Sequence, residues 1–302
     1  MKISVLYGGD SKEREVSLIS GERVCKTLCE RGHTVTGYKL QKNALSPAMC
    51  EVLRDSDAVF LALHGGAGED GRLQAELEGE GIYQYSGSGP QASALAMRKD
   101  AAKARVSAFG IPVAEGCVIA CGEGLPENLP LPVVVKPLSG GSSVGLKIIH
   151  NATDVKDFCA EEALLCEQYL AGKEYSVGIL EGEALPPVEI RPRGGVYDYF
   201  HKYTAGATDE ICPALLSPVK CEYLKTLARA SFAALGLRDY ARIDFREDAL
   251  GNPHFLEANT LPGLTDTSLL PLAAGVMGIS FPQLCERIAM LAAARKREGE
   301  NE

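Results

Sequence analysis

Short apolar runs alternate with amphipathic stretches along the first third of the chain. Residues 2–7 form a β-rich apolar run closed by Gly8-Gly9, and Val16, Ile19, Val24 and Leu28 then recur near helical spacing as far as Gly32. Residues 34–40 and 58–63 read as two further strands around a short helix at 48–54, 71–79 as a helix, and 82–85 as a fourth strand. Strands alternating with helices predict right-handed βαβ units on a doubly wound parallel sheet. After Pro90 the texture changes. Residues 92–109 read as one Ala-rich helix stopped by Gly110-Ile111-Pro112. Strands follow at 132–137, 144–149, 164–169 and 175–180, with a helix at 154–162. The last third predicts strands at 187–191, 241–246 and 253–258 and helices at 222–235 and 281–295. Ser280-Phe281-Pro282-Gln283 fits a capping box that opens the last helix.

At about 150 residues per domain, 302 residues predict two domains or three small ones. The changes of texture place them at 1–96, 97–182 and 183–302: an α/β domain followed by two α+β modules. Against 31 Lys and Arg stand 40 Asp and Glu, a net charge of −9 that argues against nucleic acid as a partner. The five residues from Ile3 to Tyr7 are too few for a signal-peptide core, and no run reaches the roughly 18 apolar residues of a membrane helix. The ten cysteines include no C-x-x-C pair, which favours reduced thiols over disulfides or a zinc site and predicts a cytoplasmic protein without a membrane partner.

Three clusters carry candidate chemistry. Arg242 and Asp244 share one strand face, as do Glu257 and Asn259 on the next strand. A hairpin turn near Leu250-Gly251 sets Asp244 opposite Glu257 and Arg242 opposite Asn259. Two opposed carboxylates call for a cation, and with an amide beside them they suit Mg²⁺; a solvated polar face of fortuitous register is the alternative. Lys136 leads from a strand into Ser139-Gly140-Gly141-Ser142-Ser143, a loop whose free backbone N–H groups could close over phosphates, although such loops are usually plain turns. Lys99 could add a second cation. Finally, the segments after the first and third strands are polar and glycine-rich, where open α/β sheets bind ligands. Glu15 there could hold an ammonium group and His64 a carboxylate, or both segments could serve turns and helix caps.

Taken in order, Gly8-Gly9-x-Ser11-x-Glu13-Arg14-Glu15-Val16-Ser17, His64-Gly65-x-x-Gly68-Glu69-Asp70-Gly71, Gly141-Ser142-Ser143-Val144-Gly145, Arg242-Ile243-Asp244 and Glu257-Ala258-Asn259-Thr260-x-Pro262-Gly263 resemble the D-alanine–D-alanine ligases of the ATP-grasp superfamily. The resemblance spans nearly the whole chain and implies three domains that clasp ATP between two α+β modules. It implies a cytoplasmic enzyme that joins two D-alanines through a D-alanyl phosphate for peptidoglycan synthesis, and a homodimer. Asp244, Glu257 and Asn259 would hold two Mg²⁺ ions, with Mn²⁺ as a substitute. Lys99 and Lys136 would bind phosphates beside the loop residues Ser142 and Ser143, and Lys202 the γ-phosphate or the second substrate. Glu167, Gln168, Tyr169 and Leu170 would line adenine, and Glu174 the ribose. Glu15 would hold the first D-alanine's ammonium, His64 would lie by its carboxylate, and Arg242 with the Gly263 N–H would stabilise the oxyanion. Ser268 and Leu269 would border the second D-alanine.

Residues 197–203 resemble the family's mobile loop, and a Tyr203–Ser142–Glu15 chain would couple its closure to substrate. The same fold also admits D-serine or D-lactate as acceptor, and a non-catalytic nucleotide-binding paralogue; Tyr203 favours an amine acceptor. Three departures stand out: Gln168 where the family usually has Lys, an extra residue within 82–87, and Leu261 where Ser is common.

Overall fold

The computed structural model describes residues 1–42, 44–126, 129–141, 143–151, 163–193 and 207–299. The chain opens with β1 (Lys2–Gly8), α1 (Arg14–Glu30), β2 (Thr34–Leu40), α2 (Pro47–Arg54), β3 (Ala58–Leu61) and α3 (Arg72–Gly79). Its strands form a parallel sheet in the order β2-β1-β3, so the chain winds to both sides of β1. The strand expected at 82–85 contributes only a bridge between Tyr85 and Val59, because Gly87 (φ +86°) turns the chain away directly afterwards. Gly21 lets α1 lie flat on β1: a Cβ there would sit 2.1 Å from Cγ of Tyr7. Gly21→Ala therefore forces the helix off the sheet, and urea unfolding should show a loss of about 1–3 kcal/mol.

The Ala-rich stretch after Pro90 is two helices rather than one, α4 (Pro90–Met97) and α5 (Lys99–Ser107). Arg98 between them is extended (φ −87°, ψ 100°), and the Lys99 N–H donates to the Leu138 carbonyl at 2.9 Å instead of to its own helix. The break re-aims α5 so that Lys99 and Lys103 both become buried.

An antiparallel sheet follows in the order β4-β7-β5-β6, from β4 (Gly116–Ile119), β5 (Val133–Pro137), β6 (Lys147–Ile149) and β7 (Leu164–Gln168). The strand expected from 144 starts at Lys147, since Ser143 and Leu146 close a turn first. The helix expected at 154–162 lies outside the described residues. The next sheet runs β11-β10-β8-β12-β13, with β9 on β8, from β8 (Glu174–Leu180), β9 (Glu183–Ala184), β10 (Val188–Pro192), β11 (Thr208–Ile211), β12 (Tyr240–Glu247) and β13 (Pro253–Asn259). Because β8 pairs with β12, the chain passes between sheets ahead of Glu174, earlier than the expected boundary at 182.

Among the described residues three further helices follow: α6 (Pro218–Ala234), α7 (Leu269–Val276) and α8 (Phe281–Gly299). α5 and α6 cover β8, β12 and β13 around Tyr175, Ile243, Phe245 and Phe255. α8 returns to the first sheet and buries Leu284, Ile288 and Ala292 against β3 and α1, so the expected division at 183–302 does not isolate a C-terminal unit. At its start Gln283 accepts from the Ser280 N–H at 2.8 Å, the back-reaching half of the capping box. No single described helix is long and apolar enough to cross a bilayer, and no disulfide joins the described cysteines.

Candidate active site

Two cavities adjoin where these units meet. One opens beyond the carboxyl ends of β1 and β3 and is lined by Glu13, His64, Glu69, Arg242, Gly263 and Ser268. The other lies between the two antiparallel sheets, lined by Lys136, Glu167, Leu170, Glu174, Asp244 and Arg246. Lys99, Gly140, Gly141 and Glu257 line both, so a group passing from one cavity to the other crosses at these four residues.

At this junction the hairpin has the register expected from its spacing, with Arg242 opposite Asn259 and Asp244 opposite Glu257. A bulge sets in directly after Asp244. Asp244 accepts from Ser176 Oγ at 2.7 Å, from Arg242 Nε and Nη2 at 3.0 Å each, and from Asn259 Nδ2 at 3.0 Å. Glu257 has the Lys99 ammonium 3.6 Å away. Among the described residues no three His, Cys, Asp or Glu side chains gather, so the hard-oxygen set is two carboxylates and one amide. That set fits Mg²⁺, which prefers oxygen donors and needs few of them from protein when phosphate oxygens supply the rest.

In the second cavity Glu167 pairs with Val134 across β5 and β7, which puts it on the same face as Lys136 two residues on. Its Oε1 is ion-paired with Lys136 and its Oε2 lies 2.9 Å from Lys103 Nζ. Burial alone would push Glu167 up, but the two ammonium groups hold it at about 2. Glu174 pairs with Arg246 at 3.1 Å, and Arg246 also donates to the Leu170 carbonyl at 2.7 Å and lies over the Tyr169 ring. Of the nucleotide residues expected from sequence, Lys99, Lys136, Ser143, Glu167, Gln168, Tyr169, Leu170 and Glu174 thus line one cavity.

The first cavity brings a correction. Glu13, not Glu15, faces it. Glu13 ends the loop before α1, with Oε2 so close to Gly65 (φ +64°) that a Cβ there would lie 2.6 Å away. Glu15 lies inside the helix with its side chain 82% exposed. The buried face of α1 is Val16, Ser17, Ser20, Gly21 and Val24, whereas Ile19 is 59% exposed. Glu15 was expected in the polar segment after β1, but α1 already begins at Arg14, and Glu15 falls on its outer face with Ile19 one turn on.

His64 lines the cavity, but both ring nitrogens are engaged. Nδ1 donates to the Leu261 carbonyl at 3.0 Å and Nε2 accepts from Ser20 Oγ at 3.0 Å, and burial pushes the imidazole's pKa down. It therefore anchors the loop after β13 rather than offering a nitrogen to a carboxylate. Glu69 shares that task. Its Oε1 accepts the Thr260 and Leu261 N–H groups and its Oε2 the Gly65 N–H. Burial, then the nearby Glu13 charge, push it up to about 7 against the pull of these backbone donors.

A carboxyl with a folded value above its unfolded 4.5 stabilises the fold fully below that pH, and loses the contribution as pH rises through about 7. Urea unfolding of the ligand-free protein should lose about 2 kcal/mol from this group between pH 5.5 and 8. Glu69→Gln should flatten that slope.

Gly263, Ser268 and Leu269 line the first cavity as expected, with Ser268 Oγ accepting the Thr265 N–H at 3.0 Å. Ser142, Lys202 and Tyr203 lie outside the described residues, so the Tyr203–Ser142–Glu15 chain is represented only by Glu15, which points away. Sequence reasoning missed Glu13, Glu69, Arg246 and Lys103. The first two stand in the quoted motifs, in the loops that follow β1 and β3; Arg246 needed the contact between sheets; Lys103 was signalled by its spacing of four from Lys99 on one helix.

Residues 118–290 match the family model described as D-ala D-ala ligase C-terminus. The chain is 43% identical over 297 residues to a D-alanine–D-alanine ligase of Anaeromyxobacter sp. (strain Fw109-5), covering 95% of each chain. It is 41% identical over 304 residues to one of Granulibacter bethesdensis, covering 97% of this chain and 98% of the relative. Its fold is similar to the crystal structure of a Bacillus anthracis D-alanine–D-alanine ligase complexed with ATP, with a TM-score of 0.84, 31% identity and 99% of each chain covered.

Proposed function

The chain belongs to the D-alanine–D-alanine ligase family, and from that premise we propose how its two cavities divide one reaction. The enzyme joins two D-alanines at the expense of ATP. The first D-alanine lies in the Glu13 cavity, its ammonium on Glu13 and its carboxylate toward the junction. ATP lies between the sheets, with adenine along Glu167 to Leu170, ribose by Glu174, and phosphates on Lys99, Lys136 and the 139–143 loop. The carboxylate oxygen attacks the γ-phosphorus, releasing ADP and forming D-alanyl phosphate. The amine of the second D-alanine, bordered by Ser268 and Leu269, then attacks the carbonyl. The oxyanion meets Arg242, itself anchored on Asp244, and the Gly263 N–H; phosphate departs and the amine loses a proton. Asp244, Glu257 and Asn259 would hold two Mg²⁺ ions, or Mn²⁺, which supply charge neutralisation of the phosphate oxygens.

By resemblance, Ser142, Lys202 and Tyr203 complete the site from the 197–203 loop and the glycine loop. The homodimer, the cytoplasmic location and the role in peptidoglycan synthesis belong to the same proposal.

The observation that carries this reading is the shared wall: Lys99, Gly140, Gly141 and Glu257 face both cavities, which phosphoryl transfer between two bound substrates requires. Phosphate release from Mg·ATP with D-alanine, beside L-alanine, D-serine and D-alanine plus D-lactate, tests it when products are identified by mass. D-Alanyl-D-alanine from D-alanine alone is the expected result. Release only with a mixed pair would move the acceptor to D-serine or D-lactate, and silence throughout would point to a non-catalytic paralogue.

A further inference from the structure

Lys103 has no part in the reaction as described, yet it is 6% exposed, more enclosed than the phosphate lysines Lys99 and Lys136. It lies one turn after Lys99 on α5, and its ammonium reaches the seam between the two antiparallel sheets. There it lies 2.9 Å from Glu167 Oε2 on β7 and donates to the Phe255 carbonyl on β13 at 3.0 Å. The same Phe255 residue is held through its N–H, which donates to the Pro112 carbonyl at 2.8 Å. α5 and the chain that follows it therefore grip β13 two residues ahead of Glu257, while the tip of Lys103 reaches across to the other sheet.

Glu167 is 3% exposed and shared by two ammonium groups, one on each oxygen. The three side chains together carry one surplus positive charge beside the cavity that Lys136 and Glu167 line. Without Lys103, Glu167 would have Lys136 as its remaining ammonium partner among these three. A fully matched buried pair holds its partners tightly and offers no surplus charge.

We propose that Lys103 is a positioning residue for the nucleotide: by holding Glu167 Oε2 and the Phe255 carbonyl together, it ties the two sheets at the floor of the cleft and keeps the Lys136 ammonium available to the phosphates. Lys103 touches no phosphate itself. The proposal rests on ATP lying between the sheets, and its test is separable from the ligase reading, because ADP binding can be measured without any amino acid.

The variant is K103M, which keeps the length of the side chain and removes the charge. Calorimetric affinity for Mg·ADP, and the KM for ATP where turnover is seen, should weaken about tenfold or more, the scale of losing one buried charge interaction, while the KM for D-alanine stays within about twofold. K103R, which keeps the charge on Glu167 and has donors enough for both contacts, should bring nucleotide affinity back to within about threefold. A purely structural lysine would behave otherwise: K103M would melt earlier with unchanged nucleotide affinity per folded molecule, and the bulkier K103R would be no better. Either unchanged ADP affinity in K103M, or an equal loss in K103R, overturns the proposal. Should K103M not fold, K103Q, which also removes the charge, takes its place: a loss of about tenfold in Mg·ADP affinity supports the proposal, and unchanged affinity overturns it.

Discussion

Glu257→Gln should reduce D-alanine-dependent phosphate release from Mg·ATP by about a thousandfold or more while the protein remains folded. The size follows from position. Glu257 faces Asp244 across the hairpin, lines both cavities and has the Lys99 ammonium 3.6 Å away, so its charge sits at the crossing between the two cavities. Gln keeps the shape but removes the negative charge, which weakens a divalent cation held against phosphates and leaves Lys99 less compensated. Glu257 belongs to no apolar cluster and its side chain is 22% exposed, so the melting temperature should move by only a few degrees. Single-turnover phosphate release and a thermal melt on one sample check both halves. Normal turnover by the variant would sink the metal assignment.

The second large effect distinguishes two glutamates that are nearly adjacent in sequence. Glu13→Gln should lower kcat/KM for D-alanine by about a hundredfold or more, through loss of the carboxylate expected to meet the substrate ammonium. Glu15→Gln should change it by less than about twofold, because a side chain 82% exposed on the outer face of α1 touches neither cavity. Steady-state kinetics in D-alanine at saturating ATP separate the two. A large loss in Glu15→Gln with none in Glu13→Gln would reverse the assignment drawn from the structure.

That contrast shows what was legible in the sequence. Strand spacing alone placed Asp244 opposite Glu257 and Arg242 opposite Asn259, because a strand has period 2 and the hairpin turn left little freedom. The parallel first sheet and most strands of the two later sheets followed from short apolar runs for the same reason. Helical faces were less legible. Ile19 is apolar but exposed, Ser17 and Ser20 are polar but buried, and α1 starts at Arg14, early enough to carry Glu15 out of the loop where it was expected. The break at Arg98 was invisible because its cause is a distant acceptor, the Leu138 carbonyl, not a Gly or Pro in the helix. His64 was found as a site residue, yet its partners Ser20 and Leu261 lie far apart in sequence, and only their meeting shows that the ring is already occupied. Glu69 and Lys103 act through contacts of the same long-range kind.

The return of α8 to the first sheet has a consequence for biosynthesis. The ribosome delivers β1 to β3 early, but Leu284, Ile288 and Ala292, which cover β3, emerge only after both nucleotide-binding sheets. Until then the nascent first sheet carries an uncovered apolar face, the kind of surface on which partly made chains associate. Covering of that face thus waits for residues 281–299, and a chain halted before residue 281 is expected to need chaperone shelter even though its first three strands are all present.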